Sequence, residues 1–389
     1  FCHSSLMFTM NSNYSRRSLL KIFTAGFLSI FAFLFSRNKN FRKLKNMGKD
    51  NRSLLSITEL PETGPWPTVD PFLFCVHHND NYPAAKSDLS PDVSLSGRHL
   101  GNDFSNKDDW SMYHGQKIPG FPRHPHRGFE TLTVVSKGFI DHADSLGASA
   151  RYGDGDAQWL TAGDGINHSE MFPLFKQNGK NKLDFFQIWL NLPSYNKRVE
   201  PNFEMYWKDE IPKISSNLNG NKKAQIEIIT GDYLDFPSPI APENSWANNK
   251  KNDVAVWIIR LDRNGKFVLP DTKSGANRNL YITKDSNIEI DGKNMPGGSM
   301  ITLDSSKNTF LKNLGNKTKI LMLQGVPINE PVVKYGPFVM NTRSEIEQAF
   351  YDYNKTEFGG WKWGDSDPVH GLKKEKFAKL INGKVIKPL

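Results

Sequence analysis

Four side chains suited to holding a metal ion stand in two short pairs. His124 and His126 are two apart in PRHPHRGFET (122–131), and His168 and Glu170 are two apart in GDGINHSEM (163–171). Alternate residues of a β-strand share a face, so two such pairs on neighbouring strands can converge on one ion. Three neutral imidazoles and a carboxylate would leave two positions of an octahedron open for water, substrate or dioxygen, close to the two-histidine, one-carboxylate site of non-haem iron. A closed structural zinc site would more often use cysteines. The chain has only Cys2 and Cys75, which also rules out a disulfide framework. An isolated H-x-H is a weak signal; a second H-x-E pair after a glycine-rich turn makes it a strong one. The bland alternative leaves His124 and Glu170 as exposed loop residues and packs His126 against a sheet. It does not account for the distribution of the ten histidines, of which only His370 follows His168.

Parity carried on through Gly128 puts Glu130 on the metal face as a reserve ligand, with Phe129, Thr131 and Thr133 opposite. Arg127 points away and is expected in a structural salt bridge. His77 and His78 are adjacent, face opposite sides, and are expected in a loop or structural role. His99 and His114 lie in the loop-rich stretch 79–120, where a lid over the pocket is conceivable and a solvated turn is the plainer reading. His142 has no ligand-type partner two residues away except Asp144.

The elements that must position these residues are strands. Short β runs cut by turns recur at 129–135, 185–192, 225–231, 254–261, 279–283, 287–292, 299–303 and 319–325, a pattern of antiparallel barrels or sandwiches. One helix is predicted over 342–353, where Thr342 and Glu345 form a capping box and Ile346, Ala349, Phe350 and Tyr353 share a face. The polar stretch 193–223 reads as a boundary, and 236–253 as an insertion. This predicts an all-β chain: a targeting or untranslated segment (1–52), a metal-binding barrel (53–205), a second barrel (206–330) and an extension with the helix (331–389). The second barrel's strands at 254–325 contain no histidine or cysteine, so no imidazole site can form there.

The formal net charge of +9 is confined to residues 1–52, which carry ten basic side chains against Asp50 alone; the remainder has forty of each sign. A neutral body argues against a nucleic-acid surface. SRRSLLK (15–21) followed by the uncharged run 22–36 resembles a twin-arginine export signal, which serves proteins exported already folded. It predicts a periplasmic or inner-membrane-anchored protein. A start at Met47 would instead give a cytoplasmic one.

The motifs TVDPFLF (68–74), PGFPRHPHRGFET (119–131), DSLG (144–147), GDAQWLTAGDGINHSEM (155–171), FQIWLNLP (186–193) and PVVKYGPFVMNT (331–342) resemble the pirin family, from about Leu60 to Gly364. The resemblance implies two jelly-roll cupin barrels in tandem with few short helices, the first holding iron(II) through His124, His126, His168 and Glu170. Other divalent metals (manganese, nickel, cobalt, copper, zinc) suit the same donors. It further implies oxidative cleavage of a flavonol such as quercetin by dioxygen, with Glu170 as the base, in a monomer. Phe129, Trp159, Met171 and Phe172 are candidates for the pocket wall, although Trp159 is better read as core. The alternative is a non-enzymatic, metal- and redox-dependent binding or regulatory protein. One departure stands out: the family usually carries a basic residue where TAGDGI has Asp164, which would weaken attraction for an anionic substrate or alter a loop salt bridge.

Overall fold

The computed structural model describes residues 53–216, 223–272 and 275–389; the export-like stretch 15–36 lies outside them. In chain order the first half forms β1 (Leu54–Glu59), β2 (Phe72–Tyr82), β3 (Gly120–His126), β4 (Phe129–Lys137), β5 (Phe139–Asp144), β6 (Ser149–Gly153), β7 (Ala157–Thr161), β8 (Ile166–Met171), β9 (Asn181–Asn191) and β10 (Asn202–Tyr206). The second half adds β11 (Lys213–Ser216), β12 (Ala224–Thr230), β13 (Ala255–Leu261), β14 (Lys266–Leu269), β15 (Asn277–Ile282), β16 (Ile288–Ile290), β17 (Lys293–Met295), β18 (Ser299–Asp304), β19 (Thr309–Asn313) and β20 (Thr318–Gly325). After these come β21 (Val333–Tyr335), β22 (Phe338–Met340), helix α1 (Arg343–Thr356), β23 (Phe377–Lys379) and β24 (Val385–Ile386).

Two antiparallel sheets enclose the first barrel. One has the order β10-β7-β4-β9-β2; the other begins β3-β8-β5-β6 and is extended by β23 and β24. The second barrel sets the sheet β1-β18-β15-β20-β13-β12-β11 against β14-β19-β16-β17. The chain is thus all-β with a single α-helix among the described residues, and each half is a jelly-roll barrel of the cupin type.

The runs FETLTVV and FFQIWLNL carry large apolar side chains on both faces because both faces are covered. Val135, Leu183 and Phe185 fill the first barrel with Ile140, Tyr152 and Leu160. From the same strands, Leu132, Val134, Phe186 and Ile188 face outward and meet Val256, Ile258, Leu321 and Leu323 of the second barrel in a shared apolar layer. The second barrel has its own filling of Ile226, Trp257, Leu280, Ile301 and Met322.

The boundary in space differs from the one predicted along the chain. Strand β1 pairs with β18, so residues 54–59 complete the second barrel, not the first. The stretch 193–223 is divided: β10 pairs with β7 of the first barrel and β11 with β12 of the second. Within 236–253, Ala241 and Trp246 are buried in the layer between the barrels. Helix α1 begins at the Thr342 cap, whose Oγ1 accepts from the Glu345 amide at 3.2 Å while the Glu345 carboxylate accepts from the Thr342 amide at 2.7 Å.

The C-terminal extension returns to the first barrel. There β23 pairs with β6, and the buried Arg151 guanidinium grips Asp141 with two bonds of 2.7 and 2.6 Å while donating to the carbonyls of Gly371 and Lys373. Asp141 also accepts from the His370 amide at 2.8 Å. Removing one member of a buried pair strands the other charge. Arg151→Ala should therefore cost about 3–5 kcal/mol in a denaturant titration; a loss below about 1 kcal/mol, the range of an exposed pair, would contradict this account.

Candidate metal centre

Strand β8 is the spine of the site. On one side it pairs with β3, which sets His124 directly opposite His168 and Phe121 opposite Glu170. On the other it pairs with β5, which sets His142 opposite Glu170 and Asp144 opposite His168. The register of β3 shifts between Phe121 and His124, so Pro122 and Arg123 form an irregularity just before the histidine pair.

The imidazoles of His124, His126 and His168 converge: one ring nitrogen from each lies within 4.8 Å of the other two. Their ring centroids are 4.4 to 4.9 Å apart. Burial holds His124 down to about 4, with His114 and His142 adding to the effect. Burial, then the neighbouring imidazoles, holds His126 and His168 far below the usual histidine range. All three are therefore neutral near pH 7, as ligation requires. His124 Nδ1 is 2.8 Å from the Pro122 carbonyl oxygen, which can only accept, so Nδ1 carries the proton and Nε2 the free lone pair. Both ring nitrogens of His168 are buried without a hydrogen-bond partner. A buried polar group left so costs about 1–3 kcal/mol, and a cation between the rings would give the lone-pair nitrogen its partner. The donor set fits a divalent metal ion.

Glu170 stands at the edge of this cluster. Its Oε2 is 4.0 Å from His168 Nε2, and it is not among the groups that lie mutually within 4.8 Å. It is buried, which raises its pKa above the usual carboxylate range, and it accepts hydrogen bonds from Gln187 Nε2 at 2.6 Å and Thr133 Oγ1 at 3.2 Å. Gln187 and Thr133 were missed by sequence reasoning. The signal for Gln187 was present, since it is the one amide in the centre of the apolar run FFQIWLNL. His142 was also passed over: it is fully buried, its ring centroid is 5.6 Å from that of His168, and its Nε2 is 3.2 Å from Asp144.

Glu130 is not near the ion site. The turn at Gly128 (φ +87) resets the alternation, so Phe129 and Thr133 face the histidines while Glu130 points into the layer between the barrels. There it accepts from Thr161 Oγ1 at 2.8 Å, Ser245 Oγ at 2.9 Å and Trp159 Nε1 at 3.3 Å. Arg127 makes the ion pairs expected of it, with Asp352 at 2.7 Å and Asp164 at 3.2 Å; Asp164 also meets Arg198 at 2.6 Å. Asp164 is thus part of a loop salt bridge and does not line the cavity.

A cavity of about 1410 Å³ opens onto the site and is lined there by His124, His126, Glu170, Gln187 and Trp189. That is larger than most small-molecule sites. Phe129, Met171 and Phe172 are buried and do not line it, so the predicted wall is corrected, while Trp159 is core as expected, packed in the layer between the barrels. The wall comes instead from Phe121, from Phe74 and His78 of β2, and from residues of 79–120, including His114. His78 is in β2, where it stacks on Phe185 at 4.4 Å.

The pirin profile matches residues 58–190, and the pirin C-terminal cupin domain profile matches residues 256–359. A Pseudomonas aeruginosa protein named "putative quercetin 2,3-dioxygenase" is 31% identical over 243 residues, covering 62% of this chain and 80% of its own. Human pirin is 31% identical over 251 residues, covering 64% of this chain and 80% of its own. The crystal structure of quercetin 2,3-dioxygenase from Acinetobacter baumannii superposes with a TM-score of 0.62 at 25% identity, over 79% of this chain and 99% of that one.

One measurement checks the histidine cluster and a second the placement of Glu130. His126→Ala should reduce bound metal to background in elemental analysis while the far-ultraviolet β signal is kept, because the barrel is filled by its own core. Burial pushes Glu130 up to about 7 from 4.5, so the folded chain binds more protons than the unfolded one between those values, and stability falls as pH rises across that window. Glu130→Gln should flatten that part of the stability profile; an unchanged slope would count against the assignment. The family profiles, the relatives and the tandem barrels agree, and this chain belongs to the pirin family of cupin proteins.

Proposed function

We propose that the chain is a metal-dependent dioxygenase that cleaves a flavonol such as quercetin, with iron(II) held by His124, His126, His168 and Glu170. The observation that carries this reading is the convergence of three neutral imidazoles beside a hydrogen-bonded, raised-pKa carboxylate on the wall of a roomy cavity. A bound ferrous ion would supply Lewis acidity toward a substrate oxygen and an electron path to dioxygen.

The chain's own residues then have distinct tasks. Glu170 takes the proton of the flavonol hydroxyl, a role its carboxylate can fill from the edge of the cavity beside the histidines. Gln187 and Thr133 each donate to a different carboxylate oxygen, which fixes the plane of the group toward the cavity. Trp189 and Phe121 give the substrate an apolar surface and exclude water beside the reacting end. Export of the folded, loaded chain belongs to the same proposal and is supported by SRRSLLK and the uncharged run after it.

Oxygen uptake by iron-loaded protein with quercetin tests the reading, and no uptake above the protein-free rate would overturn it. Glu170→Gln should keep much of its metal yet lose roughly 10²- to 10⁴-fold in turnover, the usual contribution of a positioned base.

A further inference from the structure

The stretch between β2 and β3 is not a plain connection. Its segment 98–114 folds around one guanidinium: Arg98 donates to Asp103 at 2.9 Å, to the Trp110 carbonyl at 2.9 Å and to the Lys107 carbonyl at 2.7 Å, and lies 3.4 Å over the Trp110 ring. Asp103 also accepts from the Met112 amide at 3.0 Å. Asp80 of β2 ties the segment to the barrel by accepting from the Ser111 amide at 3.0 Å and the Tyr113 hydroxyl at 2.9 Å. Asn106, Asp108, Asp109 and Tyr113 all have φ between +50 and +66. Four non-glycine residues in the left-handed region carry strain that the surrounding bonds must offset, and such strain clusters where a surface has a task.

What the segment presents is a set of rings. Phe104, Tyr113 and His114 line the cavity together with Phe121 of β3. Phe121 is the hub, with centroids 5.2 Å from Tyr113, 5.7 Å from His114 and 6.5 Å from Phe104. Its own centroid is 6.3 Å from that of His124, so a single ring separates the ligand histidine from the Phe104 group. Phe104 is 50% exposed despite being a large apolar side chain held on a braced loop. His114 Nδ1 is 2.7 Å from the Gly101 carbonyl oxygen and so donates to it, which leaves Nε2 as an acceptor. Aromatic faces with one adjacent acceptor suit a planar ring that carries a hydroxyl donor.

We propose that segment 98–114 forms an outer subsite that binds a hydroxylated aromatic ring of the substrate remote from its metal-binding oxygens, with Phe104 as the specificity-determining residue. This rests on the flavonol reading and deepens it: the oxygen-bearing centre of the flavonol lies at the histidines, and an outer ring stacks in the Phe104, Tyr113 and His114 group. Selectivity for multi-ring phenols over small chelators would arise there and not at the ion.

The test is anaerobic binding to the metal-loaded full chain, without turnover, of two ligands: quercetin, and a 3-hydroxy-4-pyrone that keeps the adjacent hydroxyl and ketone but has no outer rings. Phe104→Ala should weaken quercetin roughly five- to tenfold, the scale of one aromatic contact, and leave pyrone affinity and metal content unchanged; Phe104→Tyr should restore quercetin binding. Equal quercetin affinity in Phe104→Ala and the parent, or an equal loss for both ligands, overturns the subsite and leaves the flavonol reading standing. A parent that binds the pyrone but gains nothing from the outer rings does the same. A parent that binds neither ligand removes the flavonol reading and the subsite with it.

Discussion

Three imidazole rings crowd into the wall of the first barrel with their centroids within 4.9 Å of one another, His126 and His168 both buried. Burial and mutual repulsion make protonation of any of them expensive, so the cluster exists as a set of lone pairs aimed at a common point. Backbone pairing on both sides of one strand sets their register. Strand β8 is fixed by β3 and β5 together, and it carries one imidazole of the cluster and the neighbouring acid. The rest of the first barrel serves to keep that strand from sliding by a residue, since a slip would turn both side chains to the opposite face.

The turn after His126 is braced independently. Lys197 is buried, and burial lowers its pKa to about 8; its ammonium donates to the Gly128 carbonyl at 2.9 Å, the Asn191 side chain at 2.8 Å and the Val339 carbonyl at 3.2 Å. Arg127 lies 4.5 Å over the Phe358 ring while it pairs with Asp352 of helix α1. The C-terminal extension thus braces the turn between β3 and β4, two residues beyond the histidine pair, although among the described residues it adds no side chain to the histidine cluster.

The two candidate pairs could be read from the sequence because they obey the two-residue period of a strand, and H-x-H and H-x-E each sit within a single strand. Glu130 was misplaced because the same period was continued through Gly128, where the chain turns and the count restarts. The barrel strands and the capped helix were legible for the same local reason, as apolar runs and a Thr-x-x-Glu cap. What could not be read were partnerships across long separations: β1 with β18, β23 with β6, and His142 with Glu170. The cavity wall escaped because segment 98–114 has no periodicity; its shape depends on what Arg98 and Asp80 reach in three dimensions.

Strand β1 belongs to the second barrel and β23 to the first, so each half of the chain lends a piece to the other across nearly its whole length. A gene divided between the barrels would yield two fragments, each missing an edge it needs and each carrying a spare one. The tandem arrangement is therefore an interlocked pair, and shuffling either half into another protein would require its borrowed strand to travel with it.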